Sequence, residues 1–284
     1  MEWVERLNQS INYMEEHLTS EVDYERLGQI ACCSAYHYQR MFAYMAGVTL
    51  AEYIRRRKMS LAAVDLQGKN EKIMDVAAKY GYSSPTAFNR AFQSIHGIAP
   101  SAVKGDGAAV KSFPPMTFSI AVKGAEEMNY RIETKEVFRI IGVSAPLYKE
   151  LEQNFTVVPQ MWQEAASNGT IQKLAGMMDA PPAGLLGVSA CHDEEQWKYW
   201  IAVSSTKDCG EFEEYTVPAC TWAIFPGSGA NLSIQNLEQR IITEWLPTSG
   251  YEYANAPDIE VYLNADPQNA QYEVWIPVRK KQAN

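Results

Sequence analysis

An internal repeat near the N-terminus limits what this chain can fold into more than any other feature. Displacing the sequence by fifty residues lays Ser34 on Ser84, Tyr38 on Phe88, Arg40 on Arg90, Phe42 on Phe92, Gly47 on Gly97 and Val48 on Ile98. Matches at those spacings mean that one supersecondary unit has been used twice. In the second copy, Ile73, Val76, Ala77 and Tyr80 recur at helical spacing, and Gly81 ends the helix as a C-terminal glycine does. Ser84 can cap a further helix, and Pro85 suits its first position, where no backbone N–H is needed. Phe88, Ala91, Phe92 and Ile95 then form an apolar stripe that stops at Gly97. A helix, a short turn and a second helix make a helix-turn-helix. The first copy reads the same way. Asp23 caps a helix buried through Leu27, Ile30 and Ala31, and Ser34 caps one whose stripe is Tyr38, Met41, Phe42 and Met45, ended by Gly47. Thr49-Leu50-Ala51-Glu52 has the form of a capping box opening a connecting helix to about Leu66.

The faces away from the stripes carry the functional signal. Tyr36, Gln39 and Arg40 lie together on one helix, and Thr86, Asn89, Arg90 and Gln93 on its counterpart. Arg, Asn and Gln have the donor and acceptor geometry that reads base edges, and they stand near the helix end that enters a major groove first. A solvated polar face looks the same on a single helix. An arginine whose stem packs and whose head meets a carboxylate is the structural alternative for Arg40 and Arg90. Repetition of the face together with the turn chemistry favours DNA.

Charge separates the chain into two parts. The net charge is −9, which by itself argues against nucleic acid. Residues 1–104, however, carry 12 Lys and Arg against 11 Asp and Glu, and residues 105–284 carry 13 against 23. The first part is nearly neutral and holds the one dense basic run, Arg55-Arg56-Arg57-Lys58, expected near the DNA backbone. The second part is strongly acidic. Between them, residues 105–127, with Gly105-Asp106-Gly107 and Phe113-Pro114-Pro115, read as a linker. The five cysteines and four histidines show no metal-ligand spacing, so the cysteines read as structural and no metal or cofactor is expected. The absence of a run of about 18 apolar residues and of a secretory start makes the cytoplasm the expected location, with no membrane partner.

Residues 1–104 resemble the DNA-binding domain of the AraC/XylS family. The match is carried by residues 34–42, the Tyr53-Ile54-Arg55-Arg56-Arg57-Lys58-Met59 helix, Tyr80-Gly81-Tyr82, Phe88-Asn89-Arg90-Ala91-Phe92 and Gly97-Ile98-Ala99-Pro100. The resemblance implies an all-α double helix-turn-helix of seven helices, with two recognition helices entering successive major grooves. It places residues 36, 39, 40, 86, 89 and 90 near bases. Three positions depart from the pattern: Cys32 stands where the first turn usually has glycine, Val103-Lys104 replaces an aromatic and an arginine, and Pro85 replaces a polar residue.

From residue 128 the text is α+β, with apolar and β-branched runs between turn residues. Two β-α-β-β units can be read. One has strands at 130–143, 185–190 and 199–203 and a helix at 158–167. The other has strands at 213–217, 221–225, 259–263 and 272–276 and a helix at 233–245. Residues 128–280 resemble the GyrI-like effector-binding domain of Rob-like and multidrug-sensing regulators, most clearly from Trp222 to Pro277. The resemblance implies two pseudo-symmetric halves with a ligand cleft between them. If the last two strands pair Leu263 with Tyr272, then Glu260 lies opposite Trp275. Glu260, Tyr262 and Trp275 then share a mixed face suited to a cleft, while Val261, Leu263 and Val274 share an apolar face that packs on helices. Trp200 and Trp222, also on strands but with no register to fix their facing, complete the expected ligand set. A surface glutamate beside space-filling aromatics is the bland alternative.

The chain therefore reads as a DNA-binding transcription regulator whose acidic domain senses a small, flat, lipophilic aromatic molecule that is cationic or electron-poor. Its expected partners are double-stranded DNA, the effector and RNA polymerase. No Ser-His-Asp, Cys-His, metal or phosphate-loop constellation is readable, so an enzyme is not expected. Two alternatives stay open. One is a GyrI-like hydrolase with Glu260 as general base. The other is a ligand-independent DNA-binding protein whose second domain contacts other proteins.

Overall fold

The computed structural model describes residues 3–68, 71–104, 108–119, 127–148, 151–191, 196–264 and 269–281. The chain divides into two compact units. One comprises Met1–Ala31 with His37–Val122, the other Lys123–Asn284 with Cys32–Tyr36.

The first unit is helical. Its helices are α1 (Trp3–Glu16), α2 (Tyr24–Ala31), α3 (Ala35–Ala46), α4 (Leu50–Gln67), α5 (Ile73–Lys79) and α6 (Pro85–His96). A 3-10 turn at Pro100–Lys104 stands where the resemblance implies a seventh helix. The caps are those the local sequence requires. Asp23 accepts the N–H groups of Glu25 and Arg26. Thr49 accepts from Glu52, and Ser84 accepts from Ala87 just ahead of Pro85. Gly47 and Gly97, the repeat partners, both close their helices at positive φ. In the turn between α2 and α3, Cys32 occupies the left-handed region at φ 59°. This is where a glycine would sit without steric cost. Around α6 the core is Met59, Ala62, Leu66, Val76, Tyr80, Phe88, Phe92 and Ile95, the stripe of the second repeat with the connecting helix laid over it.

Two expectations for this unit are corrected. The basic run does not present one common face. Arg57 is buried, bonded to the Glu15 carboxylate at 2.7 Å and to the Phe113 carbonyl. Arg55 and Arg56 both pair with Glu52, and Lys58 donates to the carbonyls of Ser20 and Tyr80. Four consecutive helical positions point in four directions, so they cannot all face one backbone. The 105–127 stretch is also not a free linker throughout. Residues 105–107 and 120–126 lie outside the described residues. Residues 108–119 form an extended strap along the helical unit. Its N–H groups at Lys111, Phe113, Met116 and Phe118 bond to His96, Ser60, Tyr53 and Asn8. Phe118 meets Phe42 edge-on at 5.9 Å.

The second unit is an antiparallel sheet with helices on one face. In chain order it has β1 (Arg131–Lys135), β2 (Phe138–Pro146), α7 (Leu151–Ser167), α8 (Thr170–Met177), β3 (Leu185–Cys191), β4 (Trp197–Ser204), β5 (Glu213–Val217), β6 (Cys220–Gly229) and α9 (Asn231–Arg240). α9 continues through a π-helical turn (Ile241–Trp245), and β7 (Tyr251–Tyr253), β8 (Asp258–Tyr262) and β9 (Ala270–Lys280) follow. The spatial order is β1-β6-β9-β8-β3-β4-β2-β5, with β7 on β9. The two central hairpins, β3–β4 and β8–β9, are related by one displacement. It carries the pair Gly187↔Ile201 of β3 and β4 onto the pair Glu260↔Val274 of β8 and β9. β3 and β8 pair with each other at the middle.

Short links tie the two ends of this sheet together. Lys135 pairs with Cys220 on β6, while Phe138, three residues on, pairs with Val217 on β5. Strands stand about 4.8 Å apart, so Phe138 and Trp222 would be far apart on a flat sheet. Their ring centroids are 6.4 Å apart. The sheet is therefore curled, and its inner face is filled by Trp200, Trp222 and Trp275 with Leu186, Val188, Ile224, Ile259 and Val261. The outer face carries two helix-covered clusters. α7 and α8 lie over Ile141, Tyr199, Ile201 and Val203, and α9 with its π-helical turn lies over Ala223, Phe225, Tyr272, Val274 and Ile276.

Candidate functional site

The register at the end of the chain decides which residues meet. β8 and β9 pair as Ile259↔Trp275, Glu260↔Val274, Val261↔Glu273 and Tyr262↔Tyr272. This is one residue from the expected pairing, and Leu263 faces Gln271, whose carbonyl accepts its N–H at 2.8 Å. A one-residue slip sends every side chain of the partner strand to the other face. Trp275 is accordingly not beside Glu260. It lies in the inner core at 3% exposure, 6.0 Å from the Trp222 ring, and gives its indole N–H to Glu273. Trp200 and Trp222 are 1% and 0% exposed on the same inner face. All three tryptophans expected at the ligand are core residues, because the curled sheet needs bulk on its inside. The face roles are exchanged too. The Ile259 and Val261 face fills the inside, and the Glu260 and Tyr262 face lies under the helices.

Glu260 and Tyr262 do meet, with different companions. The Tyr262 hydroxyl donates to Glu260 Oε2 at 2.9 Å, and the Tyr199 hydroxyl donates to the same oxygen at 3.1 Å. Trp162 of α7 gives its indole N–H to Tyr199 Oη at 2.9 Å and meets the Tyr262 ring edge-on at 5.1 Å. The half-buried carboxylate thus sits on the outer face, where the two helix-covered clusters adjoin, with three aromatic rings around it. Burial raises the Tyr199 phenol far above its ordinary value, and the neighbouring Glu260 charge raises it further. The same two causes, in the same order, raise Tyr262. Both phenols stay protonated and remain donors to the carboxylate.

Gly187 makes this arrangement possible. It lies on β3 between Glu260 on β8 and the β4 strand that bears Tyr199. A Cβ at 187 would stand 2.3 Å from Tyr199 Oη and 2.7 Å from Glu260 Oε2. The hydrogen bond passes over a strand because that strand has no side chain there. The sequence carried this signal as a glycine inside an otherwise apolar strand, Leu185-Leu186-Gly187-Val188, which marks a close approach. Trp162 and Tyr199 carried no such signal, since their meeting depends on how α7 crosses the sheet.

On the helical unit, α6 presents the expected outer face. Thr86, Arg90 and Gln93 are exposed, and Asn89 is half-buried beside them. On α3 the equivalent positions differ: Tyr36 and Gln39 are buried and Arg40 is half-buried. Among the described residues, no group of His, Cys, Asp or Glu could hold a metal ion, and no helix is long and apolar enough to cross a membrane.

Comparison with known proteins agrees with both units. A family model described as a GyrI-like small molecule binding domain matches residues 128–279, and one described as a helix-turn-helix domain matches residues 27–105. The HTH-type transcriptional activator AarP of Providencia stuartii is 34% identical over 95 residues, 34% of this chain and 70% of that protein. The multiple antibiotic resistance protein MarA of Salmonella typhimurium is 33% identical over 90 residues, 32% of this chain and 71% of that protein. The right origin-binding protein of Escherichia coli is 24% identical over 287 aligned positions, covering 94% of this chain and 96% of that one. The chain belongs to the GyrI-like small molecule binding family and joins that domain to an AraC-type helix-turn-helix, as a DNA-binding transcription regulator that senses a small molecule.

Proposed function

We propose that the sensed molecule is a flat, lipophilic cation received at Glu260 among Tyr199, Tyr262 and Trp162. The observation that carries this reading is the Glu260 carboxylate, held by two phenol hydroxyls on a shared oxygen within an aromatic surround. A half-buried anion among rings is costly until a positive partner arrives, and ring faces attract the same partner. The acidity of residues 105–284 concentrates cations near the unit. Glu260 Oε2 already accepts two hydrogen bonds, which favours holding a charge over abstracting a proton at that oxygen. The role is therefore sensing and not catalysis, in a cytoplasmic regulator that acts on RNA polymerase. On the DNA side, Thr86, Asn89 and Arg90 read bases from the open face of α6. On α3 the half-buried Arg40 is the repeat partner that fits the same role, Tyr36 and Gln39 being buried.

Calorimetry on the full chain with N-benzylpyridinium, diphenylmethane and para-benzylbenzoate tests the ligand assignment. The cation is expected to bind at least about tenfold tighter than either other compound, a factor worth about 1.4 kcal/mol. Glu260→Gln is expected to abolish that preference. Equal binding of the three compounds, or an unchanged preference in the variant, would mean that the site recognises shape alone.

A further inference from the structure

The strap at residues 108–119 touches both copies of the repeated unit. Near its start the Lys111 N–H bonds to His96 Nδ1 of α6 at 3.1 Å. Val110 and Phe113 pack against the core cluster that holds Phe88 and Phe92. Near its end Phe118 meets Phe42 of α3 edge-on. The Asn8 side chain accepts the Phe118 N–H at 2.8 Å and donates to the Phe118 carbonyl at 2.9 Å. Asn8 is on α1, which is tied to α3 by the bond between Ser10 and Tyr38. Phe42 and Phe92 are repeat partners, so the strap lays one aromatic on each copy: Phe113 on the second and Phe118 on the first.

Between these ends the strap follows α4, the helix that joins the copies. Ser60 accepts the Phe113 N–H at 2.9 Å, Arg57 donates to the Phe113 carbonyl, and Tyr53 accepts the Met116 N–H at 3.3 Å. Pro114 and Pro115 lie between those anchors with their rings exposed. Proline fixes its own φ and holds the residue before it in extended backbone, so Phe113, Pro114 and Pro115 form a stiff piece of chain. Flexible residues there would keep both ends attached while letting the distance between them vary. Two prolines turn the tether into a strut. Lys58 makes another link between the copies, to the carbonyls of Ser20 and Tyr80, both at 3.4 Å. An ammonium on a flexible stem at that length holds a distance less firmly than bonded backbone does.

Two readers on one molecule engage a duplex together only when their separation matches that of the grooves. The affinity gained from the second reader depends on how narrowly the link between them fixes that separation. We infer that the strap sets the spacing between α3 and α6, with Pro114 and Pro115 as its rigid span and Phe113 and Phe118 as its anchors. These four are positioning residues, which act on DNA through the two helices. The inference rests on α3 and α6 both engaging the duplex. It adds to their base contacts a selection for one spacing of the two contacted segments.

The test is fluorescence anisotropy on the full chain with three duplexes. The first is a duplex that wild type selects from a randomised pool, its two contacted segments located by footprinting. The second has one base pair inserted between those segments, which turns one relative to the other by about 35°. The third has one segment scrambled. Wild type is expected to bind the first at least about tenfold tighter than either of the others. Pro114→Gly combined with Pro115→Gly is expected to weaken the first duplex by about fivefold or more and to narrow its advantage over the second to less than about threefold. The third should change by less than about twofold, because a single reader needs no fixed spacing. Phe118→Ala, which frees the other anchor, is expected to narrow the same ratio. That variant also loses a packed ring, so the exposed proline positions carry the decision. A ratio of first to second that the proline variant leaves at its wild-type value overturns the strut, as does equal weakening of all three duplexes. Lowered melting temperatures with that ratio intact would make the strap a structural element only. Wild type binding the third duplex as tightly as the first would instead overturn the two-reader reading, and the strut with it.

Discussion

Replacing Gly187 by alanine isolates the physical basis of the site. The added Cβ would lie 2.3 Å from Tyr199 Oη and 2.7 Å from Glu260 Oε2. Carbon–oxygen contact needs roughly 3.3 Å, so the phenol must retreat by about 1 Å or the strands must part. Retreat breaks a bond of 3.1 Å to a carboxylate, and a bond to a charged group contributes about 1.5–3 kcal/mol. Staying in place leaves overpacking strain of about 1–3 kcal/mol. The protein suffers one of these or a mixture, not their sum. Alanine returns about 0.4–1 kcal/mol by restricting the unfolded chain. A net loss of about 1–2 kcal/mol remains, and for a unit of this size each kcal/mol lowers the melting temperature by about 2–4 °C. Thermal unfolding of the full chain reads this directly. A double-mutant cycle with Tyr199→Phe supplies the decisive comparison, because removing the hydroxyl makes room for the new methyl. The second substitution should then cost less beside alanine than beside glycine, with a coupling of at least about 0.5 kcal/mol. Strictly additive costs, or a melting temperature that Gly187→Ala leaves unchanged, would refute the claim that this glycine exists to let Tyr199 reach Glu260.

Four further outcomes are expected. Cys32→Gly should stabilise the protein by about 1 kcal/mol, since a non-glycine residue at φ 59° carries steric strain that glycine lacks; chemical denaturation measures it. Arg90→Ala should weaken binding to a cognate operator by about 1–3 kcal/mol with the melting temperature unchanged. Arg57→Ala should instead destabilise the fold by about 1–3 kcal/mol, because Glu15 would be left half-buried with the Tyr53 hydroxyl but without its cationic partner; fluorescence anisotropy paired with thermal melts separates the two. His96 gives a pH dependence. Burial lowers its pKa from the ordinary 6.5, while Nδ1 accepts the Lys111 N–H and Nε2 bonds the Met59 carbonyl. The unfolded chain therefore binds this proton more readily than the folded one. The contribution is present above about pH 6.5 and is lost as pH falls through the lower folded value. His96→Asn should flatten that part of the stability profile, and an unaltered acid limb would show that the titrating group lies elsewhere.

The two parts of this protein were legible in the sequence to different depths, for a physical reason. The caps at Asp23, Thr49 and Ser84, the closing glycines at 47 and 97 and the stripe through Phe88 and Phe92 act within one or two turns of their own helix. Local sequence therefore determines them, and the duplicated unit with its outer face at Thr86, Asn89 and Arg90 follows from the chain alone. The strand content of the second part and the pairing of Glu260 with Tyr262 on one face were legible for the same reason, since alternation is a local property. Only the tertiary structure decided the rest. Whether Trp275 sits beside Glu260 depends on one residue of register set by the packing of both faces. Whether Trp200 and Trp222 line a site or fill a core depends on the sheet curling until Phe138 meets Trp222. The company of Glu260 comes from a strand two places away, across a glycine, and from a helix that returns over the sheet. The inward turn of Arg57 depends likewise on a strap more than fifty residues further along. Side chains brought together across such distances leave no periodic trace, so their meeting belongs to the fold and not to any stretch of the sequence.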